Sequence, residues 1–251
     1  MNAARQTAVG LSLAAAIFAA WLTLHVWGVF FYRPTLGSLW IAPMLIAADT
    51  WLGAGMFIVA HDCMHGSLAP GRPKVNTVIG SLMLALYAGF DFRKLNVKHH
   101  LHHRHSGHEG DPDFHPGAPR SFWKWYARFF FEYYGWRQQA AILGVLLVYV
   151  FVLHASPVNA LLFWGLPAIL SSFQLFTFGT WLPHRHENAA FADRHNARTL
   201  NYGWWTSLLT CFHFGYHLEH HHSPRTPWWR LPSVRRSGVA HAADEAVFIP
   251  R

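Results

Sequence analysis

Histidines are concentrated at three places in the sequence. Of the 20 histidines, 17 fall within residues 61–65, 99–115 and 184–222, and the other three (His25, His154 and His241) are scattered. Neutral imidazole is the commonest side-chain ligand for zinc, iron and copper. The clustering therefore predicts a metal site whose ligands are mainly histidines.

The spacing within each cluster is typical of ligands carried on a helix. Residues three and four positions apart share one helix face, so their imidazoles can point to a common centre. Eight histidines have this spacing: His61, His65, His99, His102, His103, His217, His220 and His221. One ion has too few coordination positions for eight imidazoles, so we predict two metals with about four imidazoles each and open positions for oxygen.

Further residues could complete or support this centre. His184 follows a long apolar run and is predicted as a ninth ligand, whereas the role of His213 stays open. Asp62 and Glu219 are adjacent in sequence to predicted ligands, and we predict that they act in catalysis by orienting imidazole N–H groups. Asp111 and Asp113 are candidates for the same role, while His186 and His195 are interpreted as structural.

The elements that carry these residues are membrane helices. The chain is 52% hydrophobic and only 13% charged, which is about half the charge of a soluble domain. Residues 75–90 are short for a span and are predicted to be re-entrant or interfacial, and the aromatic and basic stretch 121–137 is predicted to be interfacial. Four longer apolar runs predict transmembrane helices, at residues 7–32, 36–60, 139–155 and 158–182.

This topology places all three histidine clusters on one side of the membrane. Most arginines and lysines lie on that side, whereas Arg33 lies on the other, so the positive-inside rule makes the histidine side and both termini cytoplasmic. The net charge of +8 then reflects the cytoplasmic face rather than nucleic-acid binding. The expected fold is a single-domain, all-α integral membrane protein with four transmembrane helices and a cytoplasmic, histidine-rich di-metal cap over residues 1–251.

The three clusters resemble the signature of the membrane fatty-acid desaturase and hydroxylase superfamily. That signature is His-x(3–4)-His, His-x(2–3)-His-His and His-x-x-His-His, and the resemblance covers residues 36–225. It implies a four-span, non-haem enzyme with two iron ions. It also implies molecular oxygen as co-substrate and an external electron donor such as reduced ferredoxin.

Several other stretches are similar to the bacterial β-carotene ketolases within that superfamily. They include His61–Leu68, Asp111–His115, Phe178–Arg185, Phe191–Arg198, Leu208–His217 and Pro227–Pro232. The resemblance implies oxygen-dependent 4-ketolation of the β-ionone rings of β-carotene, by two hydroxylations at one allylic carbon and loss of water. It also implies residence in the bacterial inner membrane and a place in carotenoid biosynthesis, such as that of astaxanthin.

Two alternatives to ketolation follow from the same residues. A carotenoid 3-hydroxylase or a fatty-acyl desaturase would use the same di-iron site on a different carbon or a different lipid. A metal transporter would place its ligands at the bilayer midplane, whereas these clusters are predicted at one membrane face. The sequence has no His-Glu-x-x-His motif, which argues against a zincin protease.

Overall fold

The described residues fold entirely into helices and connecting loops. The computed structural model describes residues 1–187, 190–191 and 193–238, which contain no strand, so the all-α prediction is confirmed for them. The scattered His241 lies outside these ranges. Three helices in this part are long and apolar enough to cross a membrane, and two bent helix pairs would raise the number to five. The sequence predicted four.

The first two candidate spans form a helical hairpin. Helix α1 (Ala3–Val26) continues through a π turn at Trp27–Phe31, close to the predicted span. Helix α2 (Ala42–Met64) begins six residues later than predicted. The reason is a local turn closed by two side chains. The Ser38 hydroxyl oxygen accepts the backbone N–H of Thr35 at 2.8 Å, and the Thr35 hydroxyl oxygen accepts the backbone N–H of Ser38 at 3.1 Å. Such bonds compete with helix formation.

The histidine-bearing end of α2 extends past the predicted span, which ends at residue 60. The helix stops at Met64, and His65 is its C-terminal cap. Gly66 follows with a φ of 66°, a left-handed conformation that ends helices and that glycine adopts without strain. His61 and His65 nevertheless share one face, as the i, i+4 spacing predicts.

Helices α3 (Pro73–Ala88) and α4 (Phe92–His105) form the first bent pair, with 98° between them. A Cβ atom on Gly80 would lie 2.2 Å from the ring of Phe92, so the missing side chain permits the close approach of α3 to the start of α4. Asp91 caps α4 by accepting the N–H of Lys94 at 3.0 Å. The turn brings the histidines of α4 back to those of α2.

The second bent pair contains the predicted third span except for its last three residues. Helices α5 (Phe122–Tyr133) and α6 (Trp136–Leu147) meet at 76°, and α6 continues through a π turn at Val148–Val152. The break divides the predicted interfacial stretch 121–137 near Gly135. Trp125 is the buried anchor of α5, and its indole N–H donates to the backbone carbonyl of Asp113 at 2.6 Å.

The last candidate span, Pro157–His184, is continuous although it contains internal prolines. It consists of helices α7 (Pro157–Ala160), α8 (Leu166–Leu175) and α9 (Leu182–His184), joined by π turns. A proline ring clashes with the carbonyl four residues earlier in an α-helix. For Pro167 and Pro183 that earlier residue lies in a π turn, where the backbone is wider.

The third histidine cluster follows a strained turn. Helices α10 (Trp204–Cys211) and α11 (His217–His222) are separated by residues 212–216, in which Phe212 and His213 have left-handed φ angles of 46° and 62°. A short 3-10 turn, Trp228–Arg230, then leads into helix α12 (Leu231–Ser237). Left-handed backbone at residues other than glycine costs free energy and persists where the surrounding packing determines it.

Two aromatic contacts supply that packing. A Cβ atom on Gly55 of α2 would lie 2.5 Å from the ring of Phe212, and one on Gly179 would lie 2.6 Å from the ring of Phe214. Both rings therefore fit into notches that only glycine leaves open. These contacts fix the position of α11 relative to α2 and to the last span.

Candidate metal centre

The nine predicted metal ligands are gathered at one place, in two groups. The first group contains five histidines from three elements: His61, His65, His99, His103 and His220. The Nε2 atom of His99 lies 2.6 Å from that of His65 and 3.1 Å from that of His103. The Nε2 atom of His103 lies 3.0 Å from that of His220. Nitrogens from distant parts of the chain thus converge on one point.

The second group contains four buried histidines: His102, His184, His217 and His221. The Nε2 atoms of His217 and His221 lie 3.1 Å apart. The Nδ1–H of His184 donates to the carbonyl of Asn196 at 2.7 Å, which leaves Nε2 for the group. The structure therefore brings His184 to the position predicted for a ninth ligand, although its role as a ligand remains a prediction.

The groups divide the histidines of each cluster between them. On α4, His99 and His103 join the first group and His102 the second; on α11, His220 joins the first group and His217 and His221 the second. Adjacent helical residues are about 100° apart around the axis, so positions i+3 and i+4 fall on opposite sides of position i. Each of these short helices therefore faces both groups.

The geometry and protonation of the groups fit metal ions. Imidazole nitrogens about 2.1 Å from one ion lie roughly 3 Å apart when they are adjacent ligands. The observed Nε2 separations of 2.6–3.1 Å match this spacing. Within the described ranges, Nε2 of His184 and Nε2 of His61 are buried without a hydrogen-bond partner, as expected of ligand atoms.

Burial and mutual repulsion keep most of these imidazoles neutral. Burial, together with neighbouring histidines, lowers the pKa of His65 to about 3, and the same causes hold the pKa values of His220 and His221 well below the ordinary value. A protonated imidazole has no lone pair to give to a metal. These three histidines therefore present their ligand atoms unprotonated near neutral pH. His102 differs, because the effect of burial is outweighed by the charges of Asp111 and Asp113, which raise its pKa to about 9, so a metal ion would have to displace its proton.

Asp111 orients one imidazole of the second group. The Nδ1–H of His102 donates to both carboxylate oxygens of Asp111 at 3.0 Å, which directs Nε2 toward the group. Burial opposes ionisation of Asp111, but the charge of His102 and hydrogen bonds, including one from the Gly107 N–H at 2.8 Å, outweigh it and lower the pKa. The carboxylate is therefore ionised and holds the imidazole tautomer in place.

Asp62 and Glu219 bond to partners other than imidazole N–H groups, contrary to the prediction from the sequence. Asp62 accepts the backbone N–H of Trp228 at 3.2 Å, and its other oxygen is 3.9 Å from Nδ1 of His61, beyond hydrogen-bond length. Glu219 accepts from the hydroxyl of Thr199 and from Arg235 at 3.1 Å. A residue adjacent to a ligand on a helix points about 100° away from it, which explains the difference.

The remaining histidines fall into distinct environments. His213 lies outside both groups because the left-handed turn directs it onto Tyr216, with ring centroids 5.8 Å apart. His186 stacks on Phe114 at 5.0 Å. His195, with Asp193 and His222, forms a third, partly exposed cluster that sequence spacing did not reveal, because its members come from a loop and from α11.

A largely apolar cavity of about 410 Å³ lies against the histidine groups. Its volume is within the range of small-molecule sites. Four of the clustered histidines line it: His61, His99, His102 and His217. The rest of the wall is mostly aromatic and aliphatic and comes from helices on all sides; it includes Phe57, Met64, Leu95, Phe129, Ile142 and Phe214. An apolar molecule in this cavity would meet the histidine groups.

Comparison with known protein families agrees with this arrangement. A family model described as "Fatty acid desaturase" matches residues 45–142 and 133–248, which together cover most of the chain. The chain belongs to the fatty acid desaturase family. It is also 50% identical over 237 residues to a β-carotene ketolase of a Paracoccus strain, covering 92% of this chain and 94% of that protein.

Further β-carotene ketolases show the same relationship. A β-carotene ketolase of a second Paracoccus strain is 48% identical over 233 residues, covering 92% of this chain and 94% of its own length. A β-carotene ketolase of Haematococcus lacustris is 41% identical over 203 residues, covering 78% of this chain and 62% of its own length. These matches confirm the family resemblance inferred from the histidine clusters and their flanking residues.

Proposed function

We propose that this protein catalyses oxygen-dependent 4-ketolation of the β-ionone rings of β-carotene, giving echinenone and then canthaxanthin. The observation that carries the proposal is the 50% identity to a β-carotene ketolase over 92% of the chain. The apolar cavity against the histidine groups supports it, because a hydrocarbon ring binds in a cavity lined by apolar side chains.

We infer that each histidine group holds one iron ion. The donor set consists of imidazoles, which suit iron, and no cysteine belongs to either group. His61, His65, His99, His103 and His220 would hold one ion, and His102, His184, His217 and His221 the other. When bound, the iron pair supplies the chemistry that activates molecular oxygen with electrons from a donor such as reduced ferredoxin.

The proposed reaction balances over two oxidations of one allylic carbon. Each oxidation replaces a C–H bond with C–OH and consumes one O₂, two electrons and two protons, releasing one water. The resulting gem-diol loses a further water to give the ketone. One methylene thus becomes one carbonyl at the expense of two O₂, four electrons and four protons.

The protein's own residues hold the ring and the ligands. The cavity wall excludes water and places an apolar ring beside His61, His99, His102 and His217. Asp111 holds His102, and the carbonyl of Asn196 holds His184. We propose that Asp62 and Glu219 position α2 and α11 through Trp228 and Arg235, rather than acting on the substrate.

The protein is proposed to lie in the bacterial inner membrane with the histidine groups and both termini on the cytoplasmic side. The asymmetric distribution of arginine and lysine supports that orientation. The same face would then receive electrons from a soluble donor, while the carotenoid would enter from the bilayer.

Pigment analysis after expression in cells that accumulate β-carotene tests the proposal. We expect echinenone and canthaxanthin, which a variant lacking His99 should not produce. Zeaxanthin would assign the protein to the 3-hydroxylases, and new unsaturation in acyl chains would assign it to the desaturases. Unchanged pigment and lipid, with a functional electron donor supplied, would refute ketolation.

A further inference from the structure

A pair of polar side chains interrupts the apolar wall of the cavity. Asp113 and Tyr133 both line it. The tyrosine hydroxyl donates to Oδ1 of Asp113. The other oxygen, Oδ2, lies 3.7 Å from Nδ1 of His102, beyond hydrogen-bond length. An acceptor is thus held at the cavity wall, one imidazole away from the proposed metal centre.

This carboxylate is not needed to hold His102. Asp111 already accepts the Nδ1–H of His102 with both oxygens at 3.0 Å. Asp113 is instead fixed through its own backbone, which donates to Asp111 at 2.8 Å and accepts from Trp125 at 2.6 Å. The ammonium group of Lys98 lies over the ring of Tyr133, 4.8 Å from its centroid. Asp113 and Tyr133 are therefore held in position by contacts that do not involve the predicted metal ligand His102.

Oδ1 of Asp113 has the tyrosine hydroxyl as its donor, but Oδ2 has no hydrogen bond from the described residues. A carboxylate oxygen beside an apolar cavity is costly unless something donates to it. The unreacted β-ionone ring is a hydrocarbon and cannot do so. After one oxidation, however, the ring carries a hydroxyl group, and the same carbon must be oxidised again to become a ketone. Asp113 lines the same cavity as His102, where that hydroxyl would be formed.

We propose that Asp113, oriented by Tyr133, accepts a hydrogen bond from the hydroxyl group that the first oxidation places on the ring. This bond retains the once-oxidised ring for the second oxidation. Asp113 would thus determine whether the enzyme releases an alcohol or a ketone. The inference rests on the proposed ketolase function.

Product ratios test this role. Asp113→Leu removes the acceptor, and a hydrogen bond to a charged group corresponds to roughly a tenfold or larger change in an equilibrium. We expect the ratio of once-hydroxylated product to ketone to rise by about tenfold in Asp113→Leu and by less in Asp113→Asn and Tyr133→Phe. Tyr126→Phe is the matched control, because Tyr126 lies on the same helix with its hydroxyl near Ser172.

A binding measurement tests the same role in a variant that has no activity. Full-length, iron-loaded protein in lipid nanodiscs, without reductant, would be titrated with β-carotene and with its 4-hydroxylated derivative, and binding would be followed by carotenoid absorption. The unmodified protein should prefer the hydroxylated form, and Asp113→Leu should lose that preference by about tenfold. Iron content would be measured on each sample.

The outcomes separate this inference from the proposed function. If Asp113→Leu keeps its iron and shows both the parental product ratio and the parental binding preference, the role of Asp113 is refuted. If the unmodified protein makes no ketone, ketolation itself is refuted. A loss of the binding preference in Asp113→Leu would support the inference even when that variant is inactive.

Discussion

Replacing Asp111 with asparagine should weaken one of the two proposed metal sites and leave the other intact. The carboxylate accepts the Nδ1–H of His102 with two oxygens at 3.0 Å and is buried. An amide of the same shape keeps one oxygen but loses the charge that fixes the imidazole tautomer. Losing such a partner typically costs 10–100-fold in metal affinity, or about 1.4–2.7 kcal/mol.

The effect should be confined to the group that contains His102. Metal-free protein would be titrated with Co²⁺ under anaerobic conditions in competition with a chelator of known affinity. The unmodified protein should bind two equivalents, whereas Asp111→Asn should bind one equivalent normally and the other 10–100-fold more weakly. Asp91→Asn is the matched control and should bind both equivalents normally. It makes the same chemical change at the exposed N-terminal cap of α4, where asparagine caps a helix as well as aspartate does.

Two results would refute this reasoning. If Asp111→Asn binds both equivalents with parental affinity, the carboxylate does not support a ligand. If both equivalents weaken together, the two histidine groups do not act as separate sites.

Three further predictions concern the ligands, the fold and pH. His99→Ala and His221→Ala, one from each group, should each abolish turnover with the protein still inserted in the membrane; near-normal activity of either variant would remove that residue from the ligand set. Gly80→Ala should lower the free energy of unfolding by about 1–3 kcal/mol, because the new methyl group would clash with the ring of Phe92. Gly144→Ala is the control, because a Cβ atom there meets no other atom within 4 Å. Thermal unfolding in detergent compares the two variants. Burial lowers the pKa of His65 from 6.5 to about 3. As pH falls below 6.5, this histidine is therefore protonated in the unfolded chain but stays neutral in the folded protein, which favours unfolding. The metal-free protein should therefore lose about 2 kcal/mol of stability from this residue between pH 7 and pH 5, and a thermal midpoint that stays constant over this range would contradict the assignment.

Much of the candidate site can be predicted from the sequence because helix periodicity is a local property. The spacings of the histidines in residues 61–65, 99–103 and 217–221 place them on helix faces whatever the rest of the chain does. Apolar runs long enough to span a membrane are equally local, so the first and last candidate spans agree with the structure to within a few residues. The start of α2 was misplaced because the Thr35–Ser38 turn is made by side chains that hydropathy does not register.

The tertiary structure alone decides which histidines share a group and which acid supports them. Asp62, Asp111 and Glu219 are all close in sequence to predicted ligands, yet Asp111 is the one that accepts from His102, because its loop folds back against α4. His213 is one helical turn before His217 in sequence, but the left-handed turn that Gly55 and Gly179 make possible directs it elsewhere. The types of ligand and their spacing are thus encoded locally, whereas their partition into two centres depends on contacts between residues far apart in the chain.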